Sequence, residues 1–252
     1  MLTSADTAFS IAAVRAEESD IPESERLFED PYAHLFREAG AHAEEGTQRY
    51  LGLPYFREGV RLRTRWLDDE VRSALAAGIG QLVLLGAGFD MRGTRLAASA
   101  KTFEVDFPVQ LERKRAVLDR ARIAISSAYV PFDFDRADFE DALPKALESN
   151  GFRLGAGAIF VWEGVIGYID RPMIDRSLRV MAKAGGPDTR VAFTFGEGSF
   201  DPDTAESVTK AAGFETCEEL DLGVVWRRHF PGDPPPNLVI SKVGCARVAR
   251  VG

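Results

Sequence analysis

A short apolar run, Leu82-Val83-Leu84-Leu85, stops abruptly at Gly86-Ala87-Gly88. Roughly twenty residues later a second run, Phe103-Glu104-Val105, ends in Asp106. Glycines let a backbone approach a ligand closely, and an acid at the end of the next strand can accept hydrogen bonds from both hydroxyls of a ribose. The pair points to an α/β protein that holds an adenosine-containing cofactor at the carboxyl ends of its strands. A dinucleotide fingerprint would place a third glycine at the sixth position, where helix and strand meet beside a pyrophosphate. Met91 stands there instead, which argues for a smaller adenosine cofactor. The local alternatives are a tight turn at the glycines and an N-cap role for Asp106 before Pro108.

Two further runs end in acids. In Tyr129-Val130-Pro131-Phe132-Asp133-Phe134-Asp135, Asp133 can accept from an adenine amine while Phe134 packs on the ring. The competing reading makes Asp133 a turn residue and Phe134 core. In Phe160-Val161-Trp162-Glu163-Gly164-Val165-Ile166-Gly167-Tyr168, Glu163 can bind an ammonium group or order a substrate; its alternative is a contact at a helix N-terminus. Phe89, Trp162 and Tyr168 are candidate walls for a flat substrate, or core residues.

The elements that must position these groups change character at Gln81. Before it, helical spacing dominates: Ala8 to Glu18, a second helix opened by Asp30-Pro31, and Val60 to Ala77, stopped by Gly78. After it, short β-rich runs are expected at Leu82–Leu85, Thr102–Val105, Tyr129–Phe132, Ala158–Trp162, Val191–Phe195 and Leu238–Val243. Helices are expected between them at Pro108–Ile123, Asp138–Ser149, Pro172–Ala184 and Asp203–Ala212. That alternation predicts βαβ units, a mainly parallel sheet and a doubly wound α/β fold. The turn-rich segment through Pro231-Gly232-Asp233-Pro234-Pro235-Pro236 predicts the connection of a terminal hairpin. The simplest division is a single domain over 1–252, with a helical cap over 1–78 and a core over 79–252.

Composition narrows the partners. A net charge of −8 with scattered basic residues argues against nucleic acid. Cys217 and Cys245 have no metal or disulfide spacing, and the 3 histidines (His34, His42, His229) give no zinc pattern, so no metal is expected. No secretory signal is visible, and no apolar run reaches the length of a membrane span, which predicts a cytoplasmic protein with reduced thiols.

Taken together, the motifs resemble the leucine carboxyl methyltransferase-type family of S-adenosylmethionine-dependent methyltransferases, in its bacterial small-molecule branch. The similar segments are Thr7-Ala8-Phe9 through Ser19, Phe28-Glu29-Asp30-Pro31-Tyr32-Ala33, and Arg63-Thr64-Arg65-Trp66-Leu67-Asp68-Asp69. They continue through Leu85-Gly86-Ala87-Gly88-Phe89-Asp90-Met91-Arg92, Glu104 to Pro108, Pro131 to Phe134, and Trp162 to Tyr168. The resemblance implies a Rossmann-like methyltransferase sheet with an antiparallel terminal strand, and S-adenosyl-L-methionine as cofactor. It implies that the Gly86-Ala87-Gly88 turn lines the methionine portion, Asp106 holds the ribose, and Asp133 with Phe134 holds the adenine. One arginine of Arg61, Arg63 and Arg65 would pair with the cofactor carboxylate, Arg65 being preferred; Arg15 is a further candidate. Glu163 would sit near the reactive centre. The chain departs from the family pattern at Met91, often Thr, at Gly167, often Met, and in a short segment after Phe195.

An O-methyltransferase acting on a small-molecule carboxylate or hydroxyl is therefore expected. An ionised carboxylate needs no base; a hydroxyl would use one, for which Glu163 and His229 are the candidates. The competing readings are a cofactor-binding homologue without transferase activity and a nicotinamide-dependent oxidoreductase, the latter disfavoured by Met91.

Overall fold

In β1 (Gln81–Leu85) every residue is buried, which requires apolar cover on both faces of the strand. Alternation divides its side chains between two cores. Val83 and Leu85 point into one, with Phe103, Val105, Phe160 and Trp162 of the adjacent strands. Leu82 and Leu84 point into the other, with Ile159 and Val161. The computed structural model describes residues 4–40, 44–238 and 241–249.

β1 pairs in parallel with β2 (Lys101–Asp106) on one side and β4 (Ile159–Trp162) on the other. β3 (Ala128–Pro131) extends the sheet beyond β2, and β5 (Arg190–Gly196) extends it beyond β4, both in parallel. β7 (Ser241–Arg247) runs antiparallel between β5 and β6 (Thr216–Asp221), completing a seven-stranded sheet of order β3-β2-β1-β4-β5-β7-β6. The strand order reverses between β1 and β4, and the crevice at their carboxyl ends is where such sheets bind ligands.

Helices cover both faces. α7 (Phe139–Ser149), α8 (Arg171–Gly185) and α9 (Ala205–Ala211) close the first core, while α4 (Phe56–Ala76) and α10 (Leu222–His229) close the second. A third cluster joins α1 (Ser4–Ser19), α2 (Ala33–Ala39) and α6 (Pro108–Arg120) to the loop after β1 through Phe9, Phe36, Phe89, Met91 and Leu118. Phe89 lies between Phe36, stacked at 4.6 Å, and Phe9 at 4.9 Å. Met91 is fully packed in this cluster. Its bulk serves to anchor the glycine turn to the N-terminal helices.

Three sequence expectations need correction. The second helix begins at Ala33, and Asp30 caps no helix: its carboxylate accepts from the Tyr32 amide in a turn before it. The last strand is displaced from Leu238–Val243 to Ser241–Arg247, with Pro236–Leu238 forming a 3-10 turn. Strand β6 was not expected at all, and the connection from it to β7 contains α10 as well as the proline-rich segment. α3 (Glu44–Leu51) and the short α5 (Arg92–Leu96) also emerge. His42 lies outside the described residues.

Candidate active site

A cleft of about 750 Å³ opens at the carboxyl ends of β1, β2 and β4, beneath α1. That volume suits a small-molecule ligand. Its floor is the turn after β1, where Gly86 and Gly88 take φ of +72° and +50°, a region that side-chain-bearing residues occupy at a cost. A Cβ on Gly86 would also lie 2.6 Å from Val165 Cγ2. The Gly86 and Ala87 amides donate to the Val105 carbonyl at 2.9 and 3.1 Å, pinning the turn to β2.

Asp106, at the end of β2, is the acid of this turn. Its carboxylate accepts from the Gly88 amide at 2.7 Å and from the Phe107 amide at 2.7 Å. Burial raises its pKa, while these two backbone donors and the charge of Lys114 pull it down. Two carboxylate oxygens have roughly four lone-pair directions, so two donors leave capacity for the hydroxyls of a ligand.

The β4 end of the cleft is built on ion pairs. Glu163 accepts from Arg15 at 2.8 Å, Arg63 at 3.0 Å and Arg92 at 2.7 Å. Burial opposes its ionisation, but the three guanidinium groups win and hold the carboxyl well below its ordinary range. Arg92 is fully buried; it also donates to Asp68 at 2.6 Å and to Asp90. Asp68 in turn receives Arg95 at 2.9 Å and is kept ionised by Arg92 and Arg95 against the effect of burial. Arg95 also faces Asp30 at 3.6 Å. Four arginines thus face four acids, a balanced network joining α1, α4, the β1 turn and the β4 exit.

Several sequence candidates converge here. Arg15, Gly86, Ala87, Gly88, Asp106, Phe134 and Glu163 all line the cleft. Arg63 borders it at Gly164, whose Cβ position lies 4.0 Å from Arg63 Nη2. Arg63 Nη1 and Nη2 have no hydrogen-bond partner among the described residues. Arg65, the preferred member of its group, points the other way: it pairs with Asp69 at 2.8 Å and donates to the Leu27 carbonyl at 2.9 Å. Arg61 is bound to the buried Glu18 and lies over the Phe230 ring.

Asp133 does not line the cleft: its carboxylate accepts from the Asp135 amide at 3.0 Å, shaping the turn that presents Phe134. His229 stands at the end of α10, outside the cleft, near Arg65 and Asp69. Burial, followed by the Arg65 charge, lowers its pKa. It is not placed to serve as a base. Glu163 is brought to the cleft but, with three cation partners, has little proton affinity. The network residues that sequence reasoning missed are Asp68, Asp90, Arg92 and Arg95. Their signal was present in Asp90-Met91-Arg92, which begins two residues after Gly88, and in Asp68 four residues beyond Thr64 on one helical stripe.

A model of the leucine carboxyl methyltransferase family matches residues 8–182. A relative from Frankia alni, whose name assigns it to the S-adenosyl-L-methionine-dependent methyltransferases, is 33% identical over 225 residues, covering 86% of this chain and 78% of the relative. Another from Streptomyces coelicolor, named in the same way, is 30% identical over 201 residues, covering 75% of this chain and 68% of its own length. Among solved structures, a Thermobifida fusca protein described as a methyltransferase superposes with a TM-score of 0.52 at 18% identity, covering 95% of this chain and 94% of that one. A protein of Streptomyces avermitilis superposes with a TM-score of 0.55 at 16% identity, covering 94% and 96%. These two support the shared fold.

Proposed function

The chain belongs to the leucine carboxyl methyltransferase family and is an S-adenosylmethionine-dependent methyltransferase; from that premise we propose that it methylates an oxygen of a small molecule, with a carboxylate favoured over a hydroxyl. The residues present fit the cofactor. Gly86, where a Cβ would collide with Val165, keeps the backbone bare at the cleft floor. Asp106 offers acceptor capacity inside the cleft, and the apolar wall includes Phe107 and Phe134.

In this reading Asp106 accepts from the ribose hydroxyls, and Phe107 and Phe134, packed edge to face at 5.3 Å, form one wall for the adenine. Arg63, whose terminal nitrogens have no partner among the described residues, binds the cofactor carboxylate in the manner suited to a guanidinium fork. Glu163 accepts from the ammonium. A zwitterion entering a balanced network leaves no uncompensated buried charge. Bound S-adenosylmethionine supplies an electrophilic methyl group on a cationic sulfur. The protein's remaining task is to orient the acceptor oxygen and exclude water.

The choice of a carboxylate rests on the state of the acids and bases at the β4 end. Glu163 is held ionised by three arginines, and burial raises the pKa of the Tyr168 phenol, keeping it protonated. No His, Lys or Cys lines the cleft among the described residues. An acceptor that is already anionic needs no proton removed; a phenol or alcohol does. The test is to incubate the enzyme with methyl-labelled cofactor and matched panels of carboxylic acids and phenols, then treat the products with alkali. A methyl ester releases labelled methanol. Alkali-stable label, or turnover of phenols alone, would overturn the carboxylate reading.

A further inference from the structure

Lys114 is a buried cation that the transfer chemistry does not use. It stands on α6 with a fully buried side chain, against Glu104 at 2.6 Å, whose side chain is 2% exposed. Thr102, Glu104 and Asp106 alternate with the core residues Phe103 and Val105 along β2, so these three share one face. Burial pushes the Glu104 carboxyl up, against the pull of Lys114. A buried ion pair is often no more stabilising than apolar side chains of similar volume, so stability alone does not account for it.

The Lys114 ammonium also donates to the backbone carbonyl of Asp90. Asp90 closes the glycine turn, its amide donating to the Ala87 carbonyl at 2.8 Å. Its side chain holds both Arg92 and, at 2.8 Å, the Arg92 amide. The turn is therefore tied at both ends, by Asp106 at the Gly88 amide and by Lys114 at the Asp90 carbonyl.

We propose that Lys114 is a positioning residue: seated on Glu104, its ammonium tethers the Asp90 carbonyl and sets the Gly86–Asp90 turn in the shape that receives the methionine end of the cofactor. The inference rests on the cofactor placement proposed above. Two readouts separate it from that placement and from a merely structural role.

The first needs no ligand. In Lys114→Met/Glu104→Met, which removes both charges together, amide hydrogen exchange at Gly88 and Asp90 should accelerate while β1 stays protected. Unchanged exchange at the turn in the folded variant would overturn the tether. The second is calorimetry with S-adenosylhomocysteine and with adenosine. The variant should bind S-adenosylhomocysteine about tenfold more weakly, yet hold adenosine nearly as well as the wild type. Equal losses for both ligands, or none, would overturn the positioning role. A wild type that binds neither would refute the cofactor placement and leave the exchange result standing. Should the double methionine variant not fold, Glu104→Gln compared with Glu104→Gln/Lys114→Met makes the same comparison. Glutamine keeps an acceptor for the ammonium, so only the second variant should lose the tether.

Discussion

Arg63 and Arg65 lie two residues apart on α4, and a helix turns about 200° over that interval, so one of them faces the crevice and the other does not. Arg63 stands three residues after Val60 and four before Leu67, both fully buried, and shares their stripe. Arg65 stands four before Asp69 and joins the polar side. The helical period contained this answer, although the family resemblance left the register open. Arg63→Ala should weaken S-adenosylmethionine binding by roughly tenfold or more, the cost of a charged hydrogen bond, whereas Arg65→Ala should leave it near the wild-type value. Calorimetric titration of both variants checks this; a larger loss at Arg65 would reverse the assignment. Asp133 illustrates what residue types cannot convey. Its acid at a strand end matched a ligand-binding pattern, but whether a carboxylate closes its own turn or reaches a ligand depends on loop geometry.

At the scale of elements, the glycine turn was legible because its requirements are backbone requirements. A φ of +72° and a neighbour at 2.6 Å from a Cβ leave glycine as the unstrained choice at position 86. Gly86→Ala should cost about 1–2 kcal/mol from the left-handed backbone, more if Val165 cannot yield, and should weaken cofactor binding as well. Thermal melts with and without S-adenosylhomocysteine would measure both effects; wild-type stability and affinity would show that the turn is not constrained as described. The parallel strands were legible for a related reason, since burial on both faces forces continuous apolar runs. β6 was not. Its sequence, Thr216-Cys217-Glu218-Glu219-Leu220-Asp221, is polar because it is an edge strand paired only with β7, and charged edges deter further pairing. The end of β7 was missed because Gly244 interrupts it. That glycine lies under the Phe193 ring, whose Cζ would be 2.6 Å from a Cβ there, a tertiary cause that no local pattern contains.

Across the whole molecule, the buried charge network links α1, α4 and α5 to the exit of β4 beside the cleft, and it makes stability depend on acid pH in a defined sense. Glu163 and Asp68 have folded-state pKa values below their ordinary values of 4.5 and 3.8. Their contributions are therefore complete above those ordinary values and are lost as pH falls through the lower folded ones. Glu163→Gln should destabilise the protein at neutral pH by about 3 kcal/mol or more, as for a broken buried pair. The gap to wild type should narrow as pH falls below 4.5. Denaturant unfolding across that range tests the sign; a gap that widens on acidification would contradict it. The network, however, is only the frame of the site, whose function depends on the crevice at the β1, β2 and β4 ends holding S-adenosylmethionine by its ribose. The most direct measurement is calorimetric titration of S-adenosylmethionine into the wild type and into Asp106→Ala, with matched folding confirmed by circular dichroism. The predicted result is saturable binding to the wild type and a loss of about tenfold to a hundredfold in the variant, the worth of hydrogen bonds to a charged acceptor. Equal affinity of the two folded proteins would contradict it.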